Sequence, residues 1–182
     1  MKNLKLAGKV LGILVLVVIG LGILGNFLPE PPKAKPPEKS DKELVKSFYS
    51  EMISKTNEAD QLYKPFASSL EKSDILGATQ VALQIDQPFR SLWGQIDRLD
   101  TPDLQNDAAE KKLGEAKKAL AGCYLCKTTV VSDFIKFSES PNMKKMAEIA
   151  NTARNSQTLL LGGIAYLFEA GEMVGLKPTD LK

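Results

Sequence analysis

From Ser40 to the end of the chain, apolar residues recur at intervals of three and four. This is the period of an α-helix that buries one face. No segment alternates polar and apolar residues in the way that a half-buried β-strand does. Prolines, glycines and capping residues divide the pattern into four stretches. The sequence therefore predicts an all-α fold in which residues 41–182 form a four-helix bundle.

Local signals set the expected bounds of the first two helices. Ser40 and Glu43 match a capping box, so the first helix begins at Ser40. Pro65 lies inside the apolar pattern that follows, and we expect it to break or kink this helix. Pro88 lies inside the second pattern, where we expect a bend.

The third and fourth helices have similar start signals. Thr101-Pro102 and Ser140-Pro141 each place a hydroxyl residue directly before a proline. This pair is typical of an N-cap followed by the first helical position, so each predicts a helix start. Gly175 and Pro178 predict the end of the fourth helix. Short connections favour antiparallel neighbours, which predicts an antiparallel up-down bundle.

One face of the fourth helix is predicted to enter the core. Residues 155–168 carry no charge, and fourteen residues are too short to span a bilayer, so we expect a buried core helix. Gly162-Gly163 predicts a close helix crossing or, alternatively, a small apolar pocket. The predicted core positions are Met146, Ala150, Ala153, Gln157, Leu160, Ile164, Leu167, Gly171 and Val174.

An uncharged stretch near the N-terminus predicts a membrane anchor. Residues 10–28 read VLGILVLVVIGLGILGNFL and follow three lysines. A helix of this length spans about 28 Å, close to the thickness of the bilayer core. The alternative is a cleaved signal peptide, for which Gly20 and Gly22 offer small residues. Because the apolar run continues to Leu28, we favour an uncleaved signal anchor over residues 1–28.

Residues 29–40 are predicted to be a proline-rich linker. Prolines are dense in this segment and favour an extended polyproline II conformation of about 3 Å per residue. We interpret the segment as a spacer, although it also has the composition of a ligand for an aromatic groove. A short basic N-terminus before the first apolar segment is typical of an N-in anchor. We therefore predict a single-pass protein of the inner or plasma membrane, with its domain in the periplasm or outside the cell.

Charge and composition reduce the number of plausible functions. Residues 41–182 carry 18 basic and 20 acidic side chains, a balance that argues against nucleic-acid binding. The chain contains no histidine, the residue used most often for acid–base catalysis near neutral pH and for metal ligation. We therefore predict that the protein is not an enzyme and that it holds neither a cofactor nor a metal.

The two cysteines, Cys123 and Cys126, form a C-x-x-C pair in the third helix, followed by Lys127. In a helix interior, side chains three residues apart are too distant for a relaxed disulfide, and the pair is far from a helix N-terminus that would activate a thiolate. We interpret both as mostly buried thiols, with Lys127 extending to water. A local disulfide, a redox pair and a zinc site shared between two chains remain alternatives. C-Y-L-C-K also resembles the lysine variant of the c-type haem attachment motif.

Two functional hypotheses follow from these features. The first is a membrane-anchored helical bundle that acts by protein–protein interaction, as an assembly component, a scaffold or an inhibitor or immunity protein. Its partner would be another envelope protein. The second is a redox or cofactor-bearing bundle that uses Cys123 and Cys126. The sequence does not predict the oligomeric state.

Overall fold

The computed structural model describes residues 39–181 and contains only helices within that range. Its elements are α1 (Asp41–Glu71), α2 (Ile75–Asp97), α3 (Asp107–Glu139), α4 (Met143–Met173) and a short 3-10 helix (Pro178–Leu181). The predicted anchor, residues 1–28, and the linker up to residue 38 lie outside the described residues. None of the helices in residues 39–181 combines the length and the hydropathy needed to cross a membrane.

Contacts between consecutive helices show that the bundle is antiparallel, as predicted. Lys55 of α1 bonds Gln95 of α2, and further along α1 the Tyr63 ring lies 5.7 Å from that of Phe89. In the same way Lys112 of α3 pairs with Glu169 of α4, and Leu120 contacts Gly163. In both cases residue numbers rise on one helix as they fall on the other. Each helix therefore packs against the next in the chain.

The start of α1 agrees with the sequence, but its proline does not interrupt it. Ser40 is the N-cap, and its side chain and that of Glu43 make both hydrogen bonds of a capping box. The helix continues through Pro65, and α2 continues through Pro88. Both prolines lie on the exposed side of their helices, where water can hydrogen-bond the carbonyl that each ring leaves unpaired. The expectation of a break at Pro65 is therefore wrong.

The predicted starts of α3 and α4 are also wrong, by a few residues each. Asn106 caps α3 and accepts a hydrogen bond from Ala109 N at 3.1 Å, whereas Thr101-Pro102 lies in the preceding connection. Asn142 caps α4, and Ser140 is the C-cap of α3. Asparagine caps a helix as well as serine or threonine does, so two competing signals stood within a few residues of each other.

A carboxylate from α1 holds the connection between α2 and α3. Asp41 accepts hydrogen bonds from Gln105 N and Asn106 N, each at 3.0 Å. The side chain of Asn106 in turn donates to Met173 O at the end of α4. These bonds join the start of α1, the α2–α3 connection and the end of α4 at one end of the bundle.

The core consists of two clusters of buried side chains along the bundle. The first lies toward the end that contains Asp41 and includes Phe48, Met52, Phe89, Leu113, Leu120, Tyr124 and Leu167. The second lies toward the opposite end and contains Phe66, Ala78, Ala82, Ile85, Val130, Val131, Phe134 and Ile149.

The core face of α4 differs from the predicted one. Ala150 and Gln157, both expected in the core, are exposed, and Leu161 is 70% exposed in the middle of the uncharged stretch. The residues that α4 buries are Ile149, Ser156, Gly163, Leu167, Ala170 and Gly171. Over residues 155–168 the helix is buried on one face only, so the expectation of a buried core helix holds for that face and not for the whole segment.

Gly163 explains which face of α4 points inward. A Cβ atom at this position would lie 2.6 Å from Cγ of Leu120 and 3.3 Å from its backbone nitrogen. Gly163 therefore makes the close helix crossing that the sequence predicts. A Cβ atom at Gly162 would meet no atom within 4 Å, so only one of the two glycines is required for packing.

Candidate functional site

The two cysteines lie on the inner side of α3, in the middle of the bundle. Both are free thiols. Cys123 is 0% exposed and belongs to the first core cluster, next in sequence to the equally buried Tyr124. Cys126 is half-buried. Cys123 thus lies in the core, and Cys126 lies at its edge.

The environment of Cys123 disfavours its thiolate form. Burial raises the pKa of the Cys123 thiol to about 11, although the nearby Lys127 acts in the opposite direction. Burial also raises the pKa of Cys126. A reactive cysteine needs a lowered pKa, so at neutral pH these thiols are protonated and weakly nucleophilic.

Lys127 is enclosed by side chains of α1 and α3. Its side chain is 12% exposed, and its Nζ atom lies 2.5 Å from Oδ1 of Asp60. The same Nζ lies 4.7 Å from the ring centroid of Tyr124 and 5.3 Å from that of Tyr63. The ammonium group therefore has one carboxylate and two aromatic faces as partners. The sequence suggested that Lys127 extends to water, and this expectation is wrong.

Of the two tyrosines beside Lys127, Tyr124 makes a hydrogen bond across the core. The Tyr124 hydroxyl donates to Thr56 O at 3.0 Å and so connects α3 to α1 inside the core. Burial raises the pKa of Tyr124, and it raises that of Tyr63 to about 12. Both tyrosines are therefore neutral at physiological pH.

Together these residues form a polar clamp, which we define as Thr56, Asp60, Tyr63, Tyr124 and Lys127. It joins α1 to α3. Sequence reasoning singled out Lys127 but missed the α1 partners. A signal was present, because Thr56 interrupts the apolar face of α1 and Asp60 follows one turn later. The clamp holds Lys127 by an ion pair and two aromatic faces and so connects α3 to α1.

A surface groove of about 500 Å³ lies between α1 and α2. Lys55, Arg90 and Arg98 line it together with Glu51 and Trp93. Arg90 is already engaged, because it pairs with Asp86 and donates to Ser132. Lys55 donates to Gln95 at 2.6 Å.

In residues 39–181, no three Cys, Asp or Glu side chains are grouped closely enough to hold a metal ion.

The end of the bundle opposite Asp41 exposes large apolar side chains. This end is formed by the α1–α2 and α3–α4 connections. Leu76 is 80% exposed, Met143 85% and Ile75 42%. We call these three residues the apolar tip. Leu83, 62% exposed, lies two turns along α2 from Leu76 and continues the same face.

No protein family, no curated protein and no solved structure matches this chain.

Proposed function

We propose that this protein is a membrane-anchored helical bundle that binds another envelope protein through the apolar tip. The observation that carries the proposal is the exposure of Leu76 and Met143 at the end of the bundle farthest from the start of α1. Single exposed apolar residues are normal on protein surfaces, but several at one end indicate an interaction site. In this account, residues 1–28 anchor the chain and residues 29–40 act as a spacer.

The position of the tip fits such an arrangement. A chain that is anchored through its N-terminus enters the domain at Lys39, at the same end as Asp41. α1 is 31 residues long and leads to the opposite end, about 46 Å away. The tip therefore lies at the opposite end of the domain from the residue at which a linker would join it.

The redox alternative has less support. It requires at least one cysteine with an accessible thiolate, and burial acts against this at both positions. A c-type haem bound by both cysteines would require Cys123, which is 0% exposed, to bond a bulky group inside the first core cluster. The burial of Cys123 and Cys126 therefore favours a role in the packing of α3 over a redox or haem-binding role.

The proposal is tested by photo-crosslinking in cells of the native host. p-Benzoyl-phenylalanine is placed at Leu76 or at Met143, and crosslinked products are identified by mass spectrometry. Lys118, an exposed position on α3, is the matched control. We expect both tip positions to give the same discrete crosslinked protein and Lys118 to give none.

Two results would contradict the proposal. One is a crosslinking pattern at the tip that equals the pattern at Lys118. The other is recovery of lipid as the sole product at the tip positions, which would mean that the tip contacts a membrane instead of a protein.

A further inference from the structure

The outward face of α4 carries a row of side chains whose two ends have opposite charge. Eighteen residues, or about five turns, separate Arg154 from Glu172, so both lie on the same line along the helix. Between them the row contains no charge. Its members are Arg154, Thr158, Leu161, Ala165, Phe168 and Glu172, of which all but the half-buried Phe168 are exposed.

The row becomes complementary to itself when a second copy lies antiparallel. If the two copies are centred on Gly163, Arg154 of one faces Glu172 of the other. In the same register Leu161 faces Ala165, and Thr158 faces Phe168. A large side chain is thus opposite a smaller one at each step, and each cation is opposite an anion. A twofold axis requires this reciprocal pattern.

Both charged ends have few partners within one chain. In the part of the chain that the structure describes, the Arg154 guanidinium makes a single hydrogen bond, which it donates to Asn151 Oδ1, one turn away on its own helix, at 3.1 Å. Among residues 39–181, the Glu172 carboxylate has neither an ion pair nor a hydrogen bond, and the last turn of α4 contains no basic residue. An anion at a helix C-terminus is unfavourable, so a cation from a second copy stabilises this end twice, by pairing and through the helix dipole.

We propose that α4 is a homodimerisation surface, in which α4 of a second copy of this chain packs antiparallel across Leu161 and Ala165. The inference is independent of the apolar tip, which lies at an end of the bundle. The contact comprises one helix face per copy. A contact of this kind is small, and small interfaces are typical of weak complexes, so we expect a weak dimer.

Charge reversal tests both the dimer and its register. The full-length protein is purified in a non-ionic detergent and followed by sedimentation velocity over a wide range of concentrations. Arg154→Glu places two acids opposite each other twice, and Glu172→Arg places two arginines opposite each other twice. We expect each variant to self-associate about tenfold more weakly than the wild type, because the symmetric interface contains each repulsive contact twice.

Mixing the two variants gives the decisive result. In the mixed dimer, the new glutamate of the Arg154→Glu copy faces the new arginine of the Glu172→Arg copy at one end of the row. The natural pair of Arg154 and Glu172 is kept at the other end. We expect the mixture, and the Arg154→Glu/Glu172→Arg double variant, to associate as the wild type does.

Matched controls separate the register from a general effect of charge. Lys118→Glu and Glu71→Arg make the same kinds of charge change at exposed positions away from the row and are expected to have no effect. Circular dichroism verifies that each variant is folded.

Three outcomes would overturn the proposal. The wild type could remain monomeric at every concentration, as it would if a different protein or a lipid surface covers α4. The single variants could self-associate as strongly as the wild type. The mixture could fail to associate, which would exclude the antiparallel register.

Discussion

At the residue scale, the two charged side chains of the polar clamp are buried to different extents. Lys127 is 12% exposed, whereas its partner Asp60 is 45% exposed. Removing the carboxylate leaves a nearly buried ammonium group with aromatic partners only, whereas removing the lysine leaves a carboxylate that water reaches. A buried ion pair is costly to break from one side, so the two substitutions have different effects.

We therefore expect Asp60→Ala to lower the free energy of unfolding by about 2 kcal/mol and Lys127→Met to change it by less than about 1 kcal/mol. Urea denaturation measures both. Asp133→Ala and Lys136→Met, in an exposed pair at 3.1 Å, serve as controls and are expected to change stability by about 0.5 kcal/mol or less. Equal costs for Asp60→Ala and Lys127→Met would show that burial of Lys127 is not the determining factor.

Cys123 gives a pH-dependent prediction. Its pKa is raised from an ordinary value of 9.0 to about 11, so between these values the unfolded chain ionises while the folded protein stays protonated. The unfolded state then binds fewer protons, and stability falls as pH rises. The stability that the protonated Cys123 thiol contributes is fully present below pH 9 and is lost as pH rises toward 11. By pH 10.5 the loss amounts to about 2 kcal/mol, because one pKa unit corresponds to about 1.4 kcal/mol.

The measurement compares the wild type with Cys123→Ala at pH 8 and pH 10.5. At pH 8 we expect the variant to be less stable by about 1 kcal/mol, owing to lost burial. At pH 10.5 we expect this difference to disappear or reverse, because only the wild type retains the ionisable thiol. A difference that stays constant across this range would mean that Cys123 does not titrate with a raised pKa.

At the element scale, the helices were predictable and their boundaries less so. Period and capping signals are local, and the number, order and antiparallel arrangement of the helices follow from them. The predicted helix starts were wrong where Asn106 and Asn142 compete with nearby hydroxyl residues as N-caps. Which residue becomes the N-cap depends on tertiary contacts, such as that of Asp41 with the α2–α3 connection. The predicted inward face of α4 was wrong for the same reason, because the face is set by the tertiary contact of Gly163 with Leu120.

The neighbouring glycines of α4 test this crossing directly. Gly163→Ala would bring a Cβ atom to 2.6 Å from Leu120 Cγ, and we expect a destabilisation of about 1–2 kcal/mol despite alanine's higher helix propensity. Gly162→Ala meets no atom within 4 Å and is expected to stabilise the protein by about 0.5–1 kcal/mol. Thermal unfolding of the two variants gives the signs, and a stabilising Gly163→Ala would contradict the close crossing.

At the scale of the whole molecule, the candidate site was only partly accessible from sequence. Cys123, Cys126 and Lys127 are visible as a motif, but Asp60 and Thr56 lie more than sixty residues away and come together with them only through packing of α1 against α3. Exposure of the apolar tip likewise depends on how the α1–α2 and α3–α4 connections fold. Neither feature can be predicted from local sequence patterns.

The proposed division into anchor and domain makes a prediction of its own. Residues 39–182 form one compact unit, so a fragment that starts at Lys39 is expected to be soluble and helical. The full-length protein is expected to stay in the membrane fraction after carbonate extraction. A mature N-terminus between Gly22 and Asn26 would show instead that the apolar segment is a cleaved signal peptide.

The central claim is that the protein acts through its surface and not through its cysteines. The most direct measurement is photo-crosslinking at Met143 in three backgrounds: wild type, Cys123→Ala/Cys126→Ala and Leu76→Glu. We expect the partner protein to be recovered equally in the wild type and the cysteine variant. We expect it to be lost in Leu76→Glu, a change at an exposed residue that leaves the fold intact. Loss of the crosslink in the cysteine variant, with full recovery in Leu76→Glu, would contradict the account and favour the redox alternative.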